Sequence, residues 1–191
     1  MPNFYIIAGC NGAGKTTASF TLLPELLDCR EFVNADEIAR GLSPFQPETV
    51  ALEAGRIMLH RIDELLAKRV DFAIETTLAT RSYAQTIRRA KSLGYSTNLI
   101  YFWLRSPEMA IERVKDRVRA GGHHIPEDVI RRRYRKGLQN LFSLFLPFVD
   151  TWLIVNNSSS PSRLVAEGTF EEINQVHVPT DWNTMKQLGH A

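Results

Sequence analysis

A glycine-rich run near the start of the chain, Gly9-Cys10-Asn11-Gly12-Ala13-Gly14-Lys15-Thr16, does most to restrict what this protein can fold into. An apolar stretch, residues 3–8, leads into it, and a helix-compatible stretch, residues 17–27, follows. Strand, G-x-x-x-x-G-K-T loop and helix in that order are the context of a P-loop, or Walker A element. Glycines at 9, 12 and 14 open backbone angles closed to other residues, so successive N–H groups can curl around one anion. The N-terminus of the next helix adds partial positive charge at the same place. The pattern therefore assigns Gly9, Cys10, Asn11, Gly12, Ala13, Gly14, Lys15, Thr16 and Thr17 to the phosphates of a nucleotide. Lys15 is expected to reach the β- and γ-phosphates, and the Thr16 hydroxyl to hold Mg²⁺.

The 191 residues, 44% hydrophobic and 23% charged, suit one globular domain, 1–191, with a real core. A net charge of +2 supplies no whole-molecule attraction to nucleic acid, although residues 113–136 are densely basic. No apolar stretch approaches the ~20 residues that span a bilayer. The start of the chain is already strand-like and carries no charged lead with a cleavage site. Two cysteines, Cys10 and Cys29, read as free thiols of a reducing compartment. These features together predict a cytoplasmic protein without a membrane partner.

Strand-like and helix-like segments alternate, which predicts an α/β fold with a parallel sheet flanked by helices. Strands are expected at 3–8, 31–35, 71–76, 96–104 and 151–155. Helices are expected at 48–68, with Val50, Ala54, Ile57, Ile62 and Leu65 marking an apolar face, and at 82–93, ending at Gly94. Ser106-Pro107 caps a helix over 107–119, and a second basic helix covers 127–140. Beyond 156 a short extension is expected, with 163–167 and 169–173 forming a hairpin.

Ligands of an open parallel sheet bind beyond the carboxyl ends of its strands. Asp36, after the second strand, suits the acceptor of a substrate hydroxyl's proton; it also suits an N-cap for residues 37–40. At the end of the third strand Glu75 suits Mg²⁺ orientation or substrate binding and Thr77 offers a hydroxyl to a polar ligand, or else they cap the helix near Ser82. Two basic helices joined by Gly121-Gly122 and a proline read as a lid over about 113–136, which excludes water and delivers guanidinium groups to a transferring phosphoryl group. Arg113 and Arg117 share a helix face at i, i+4, whereas Arg119 points elsewhere. Of the run Arg131-Arg132-Arg133, one or two must be solvated. His123 and His124 lack neighbours at zinc-ligand spacing and read as polar loop groups. A basic patch for RNA competes with the lid, but only Tyr134 supplies an aromatic there, so a nucleic-acid partner is not expected.

With these pieces in order the chain resembles the zeta-toxin family of P-loop kinases, particularly its short stand-alone bacterial members. The matching elements are the P-loop, Asn34-Ala35-Asp36, Glu75-Thr76-Thr77-Leu78, and Arg119 through Pro126 followed by Arg131-Arg132-Arg133-Tyr134. The resemblance implies an adenylate-kinase-like P-loop NTPase core with a helical lid. It implies a transferase that phosphorylates the sugar 3′-hydroxyl of UDP-N-acetylglucosamine with ATP and Mg²⁺. By the same resemblance Asp36 matches the acceptor-activating aspartate and Thr77 the substrate-binding threonine. A lid arginine and one from the next helix, taken as Arg119 and Arg132, match the pair on the γ-phosphate. Lys15 joins them as a catalytic group, with Glu75, Arg113 and Arg117 on the substrate side. Toxin–antitoxin function implies a separately encoded antitoxin as protein partner. A nucleotide-dependent ATPase or switch without acceptor, and an RNA-end kinase, are the alternatives.

Overall fold

The computed structural model describes residues 1–190. Its elements, in chain order, are β1 Asn3–Gly9, α1 Lys15–Thr21, β2 Phe32–Val33, α2 Ala35–Leu42, α3 Ala51–Lys68, β3 Phe72–Thr76 and α4 Tyr83–Ser92. They continue with β4 Ser96–Trp103, α5 Pro107–Arg119, α6 Glu127–Asn140, β5 Thr151–Asn156, β6 Arg163–Thr169, β7 Ile173–Val176 and α7 Pro179–His190. One seven-stranded sheet runs in the order β2-β3-β1-β4-β5-β6-β7. The first five strands are mutually parallel, and β6 and β7 are added antiparallel.

β1 is central because it is apolar on both faces: Phe4, Ile6, Ile7 and Ala8 are all fully buried. Its register pairs Ala8 with Thr76 of β3 and Gly9 with Phe102 of β4. The strand ends carrying Gly9, Asn34, Glu75 and Asn157 therefore gather along one edge of the sheet, where chain connections depart to both sides of β1. Phe4 stacks on Phe72 at 4.5 Å beneath that edge. On the other side Trp103 Nε1 donates to the Tyr134 hydroxyl at 3.1 Å, which donates to Leu104 O at 2.7 Å. This buried chain seats α6 on β4 and so fixes the direction of the residue before Tyr134.

Several expected elements are redrawn by local chemistry. The second strand is two residues long, because Asn34 leaves it to cap α2: its Oδ1 accepts from the backbone N–H groups of Asp36 and Glu37. The long helix begins as a 3₁₀ turn, Pro47–Val50, and becomes α-helical at Ala51. Its buried stripe is Ala54, Met58, Ile62, Leu65 and Leu66, so Ile57 faces outward instead. The first helix breaks after Thr21 into a π turn, Leu22–Leu26, that accommodates Pro24. The terminal hairpin is longer than expected and belongs to the main sheet. The final helix, α7, was not expected from sequence; it closes over β5 by stacking Trp182 on Trp152, with rings 5.8 Å apart and parallel within 1°.

Candidate active site

The P-loop takes its shape from glycines that nothing larger can replace. Gly12 has φ +78°, and a Cβ there would lie 2.8 Å from Ala110 O of α5. The contact brings α5, and with it Arg113, against the loop. Lys15 opens α1 and is buried at 6% exposure. Its ammonium donates to Cys10 O at 3.0 Å and sits 3.5 Å from Glu75 Oε1. Thr16 Oγ1 donates to Glu75 Oε2 at 2.7 Å, and Asn34 Nδ2 donates to the same oxygen at 3.0 Å. Glu75 thus ties the P-loop, the cap of α2 and β3 into one cluster, and the alternative role as a cap for α4 is not taken. The Thr77 hydroxyl accepts from Ala79 N within its own loop.

Of the nine P-loop residues, Thr17 is exposed on the outside of α1. Cys10 contributes its carbonyl, and burial pushes its thiol up to about 11, so the sulfur stays protonated and apolar. Asn11, also buried, accepts from Arg133 Nη1 at 3.2 Å. The cradle suits a polyphosphate: glycine-permitted curvature, a buried ammonium and the start of a helix converge on it. Thr16 and Glu75 are oxygen donors of the kind Mg²⁺ takes alongside phosphate oxygens. Among the described residues no group of three His, Cys, Asp or Glu side chains stands at metal-binding separation.

Two clefts meet beside this cradle. The inner, about 230 Å³, is lined by Asn11, Lys15, Asn34, Glu75, Thr77 and Tyr83 among others. The outer, about 340 Å³, lies between α2, the 3₁₀ turn and the segment expected to be a lid, and includes Glu48, His123, His124 and Arg132. Ala35, Asp36 and Arg133 line both. Asp36 is the single carboxylate common to the two clefts. Because Asn34 caps α2, the capping alternative for Asp36 is excluded; its side chain is half exposed and faces the junction.

The basic cluster is sorted by helix phase. Arg113 is packed beside Gly12, and its charge bears on Cys10. Arg119 is 73% exposed and bonded to Asp116 on the outer side of α5, away from the P-loop. Arg119, taken by resemblance as the lid arginine, thus does not adjoin the P-loop as Arg113 does: six residues at 100° each turn it well off the face that Arg113 presents. In the next helix Arg131 pairs with Glu108, Arg132 lines only the outer cleft, and Arg133 reaches Asn11. Arg133, rather than Arg132, is thus the arginine of this run that contacts the P-loop. Arg117 donates to His123 O at 3.5 Å and supports the loop from beneath rather than lining either cleft. Asn157, which sequence did not single out, donates to Ala13 O at 2.8 Å and braces the P-loop from β5. Arg133 was recoverable in principle, since it adjoins the buried stripe Ile130, Tyr134 and Gly137, whereas Asn157 carried no signal.

Comparison with known proteins follows this geometry. A family model described as zeta toxin matches residues 1–162. An uncharacterized protein of Haemophilus influenzae is 33% identical over 128 residues, 66% of this chain and 88% of that one. Among solved structures, the AvrRxo1-ORF1:AvrRxo1-ORF2 complex with sulphate ions superposes with a TM-score of 0.79 at 16% identity, over 97% of this chain and 63% of that chain. The same pair with ATP gives 0.76 over the same shares. The PezAT chromosomal toxin–antitoxin system of Streptococcus pneumoniae gives 0.66 at 17% identity, over 100% of this chain and 85% of that one. At these identities the superpositions establish the fold, a mostly parallel sheet flanked by helices.

Proposed function

The chain belongs to the zeta toxin family, and we propose that, as an ATP-dependent kinase, it phosphorylates the sugar 3′-hydroxyl of UDP-N-acetylglucosamine. The observation that supports phosphate transfer to a hydroxyl is the position of Asp36, the one carboxylate shared by the P-loop cleft and the outer cleft, while the choice of acceptor rests on the family resemblance alone. A donor phosphate at Lys15 and an acceptor hydroxyl entering from the outer cleft would meet beside it. Asp36 takes the hydroxyl proton as the new O–P bond forms and the bond to the ADP leaving group breaks. Arg113 and Arg133, one from each basic helix, counter the negative charge on the transferring group. Thr16 and Glu75 would hold Mg²⁺, which supplies charge neutralisation at the β- and γ-phosphate oxygens. The helices α5 and α6 act as the lid that keeps water from competing with the acceptor. A separately encoded antitoxin is the protein partner this reading implies, and the PezAT system supports it as a structural neighbour.

Incubating the protein with ATP, Mg²⁺ and UDP-N-acetylglucosamine and resolving the products by mass tests the proposal. One added phosphate on the sugar is expected, and Asp36→Asn should cut its formation by ~10²-fold or more while nucleotide affinity holds. ATP hydrolysis without acceptor phosphorylation, unchanged in Asp36→Asn, would replace this reading with that of a nucleotide-dependent ATPase.

A further inference from the structure

The loop 120–126 is built to deliver one side chain. Gly122 lies directly on Arg117: a Cβ there would come 2.7 Å from Arg117 Cγ and 2.9 Å from Arg117 O, so only glycine lets the chain descend this far. The descent is held by the bond from Gly122 N to Arg117 O at 2.8 Å and by the Arg117 guanidinium on His123 O. Ile125, buried at the other end, anchors the loop to the core. Between these anchors His123 is turned inward with its side chain 15% exposed, and its Nε2 stands 4.0 Å from Asp36 Oδ2. His124, the next residue, is exposed.

Resting on the reading of Asp36 as proton acceptor, we propose that His123 is an acid-sensitive control on Asp36, delivered by the loop between α5 and α6. As an uncharged imidazole it walls the outer cleft and leaves the carboxylate unengaged; protonated, it pairs with Asp36 and takes the carboxylate out of use. Transfer then becomes sensitive to acid through a group that lies in the loop between α5 and α6 and outside the P-loop.

The surroundings favour the uncharged form. Burial pushes the imidazole below its ordinary value of 6.5. The charges facing it are mixed. Asp36 of α2 and Glu48 of the 3₁₀ turn favour the cation, while Arg117 of α5 and Arg40 of α2 oppose it. Arg132 and Arg133 of α6 and the neighbouring His124 line the same cleft. At neutral pH His123 is therefore neutral, and its protonation on acidification places a positive charge 4.0 Å from the Asp36 carboxylate.

Two measurements on the full chain test this separately from the kinase reading. The first follows the histidine ring protons by NMR against pH, with the His123 signal assigned by its loss in His123→Gln. Removing the Asp36 charge, in Asp36→Asn, should lower the His123 midpoint further, because the pair favours the imidazolium. An unchanged midpoint overturns the proposal, and this holds even if no acceptor is ever phosphorylated. The second is the pH profile of phosphate transfer to UDP-N-acetylglucosamine, or of ATP hydrolysis if no transfer occurs. On acidification through the imidazole range the wild type should lose roughly threefold or more, while His123→Gln loses activity only where carboxylates protonate. His123→Lys, charged throughout, should be suppressed at every pH. A His123→Gln profile lowered uniformly, with its acid limb unmoved, would make His123 merely structural and overturn the proposal.

Discussion

Glu75 receives two hydrogen bonds on one oxygen, from Thr16 and Asn34, while its other oxygen faces the Lys15 ammonium, all at about a tenth or less side-chain exposure for the charged pair. Breaking a buried pair by removing one partner's charge is costly because the other is stranded away from water. Glu75→Gln keeps the shape and one accepting oxygen, so the expected loss is about 1–3 kcal/mol rather than the larger cost of full removal. Chemical denaturation of the free protein measures it. Saturating ATP with Mg²⁺ should restore part of the loss, since phosphate then supplies Lys15 with negative charge. Equal stability in variant and wild type, free of nucleotide, would mean the cluster is held by its hydrogen bonds alone. Sequence placed Glu75 at a strand end; that it meets Thr16 and Asn34 depends on the register of β3 against β1, which pairs it with Ile7.

The connection between α5 and α6 is the element whose shape matters most to the site. Ala120 through Pro126 turns on Gly121, at φ +87°, and then on the close approach of Gly122 to Arg117. Gly122→Ala places a methyl group against backbone that cannot yield far, so the loop must rise. Overpacking of this kind costs about 1–3 kcal/mol, and here the cost falls on the loop rather than on the sheet. The expected result is faster proteolysis within 120–126, an unchanged global unfolding midpoint within error, and a transfer rate lower by roughly tenfold because positioned groups are displaced. Limited proteolysis and steady-state kinetics on the one variant check both, and wild-type cleavage rates would show that the approach is not required. The helices themselves were legible, from Ser106-Pro107 and the proline at 126. The arginine assignments were not, because each depends on which side of the helix meets the sheet.

At the scale of the molecule, the residues after the family match form an extra layer. β6 and β7 extend the sheet antiparallel, and α7 lays Trp182 on Trp152 and edge-on to Phe142 at 5.4 Å. Asp181 is buried and accepts from Asn156 Nδ2 at 2.6 Å. The next residue, Asn157, holds Ala13 O of the P-loop. This layer therefore supports the phosphate site from behind. Trp182→Ala should destabilise by about 3 kcal/mol or more. It should also weaken ATP binding, measured by calorimetry, as the Asn156–Asn157 turn loosens. Full ATP affinity in a destabilised variant would confine α7 to a covering role. No helix among the described residues is long and apolar enough to cross a membrane.

Local chemistry was sufficient to determine the P-loop, the alternation of strands and helices, the cap at Ser106 and the placing of Asp36 and Glu75 at strand ends. Each of these depends on neighbours within a few positions, which a linear reading contains. The nearness of Arg113 and Arg133 to the P-loop, the bond from Asn157 to it, the covering helix α7 and the approach of His123 to Asp36 were decided only by the tertiary structure. They join residues up to 144 positions apart, and such meetings are set by sheet order, strand register and helix rotation, which come into being when the whole core packs.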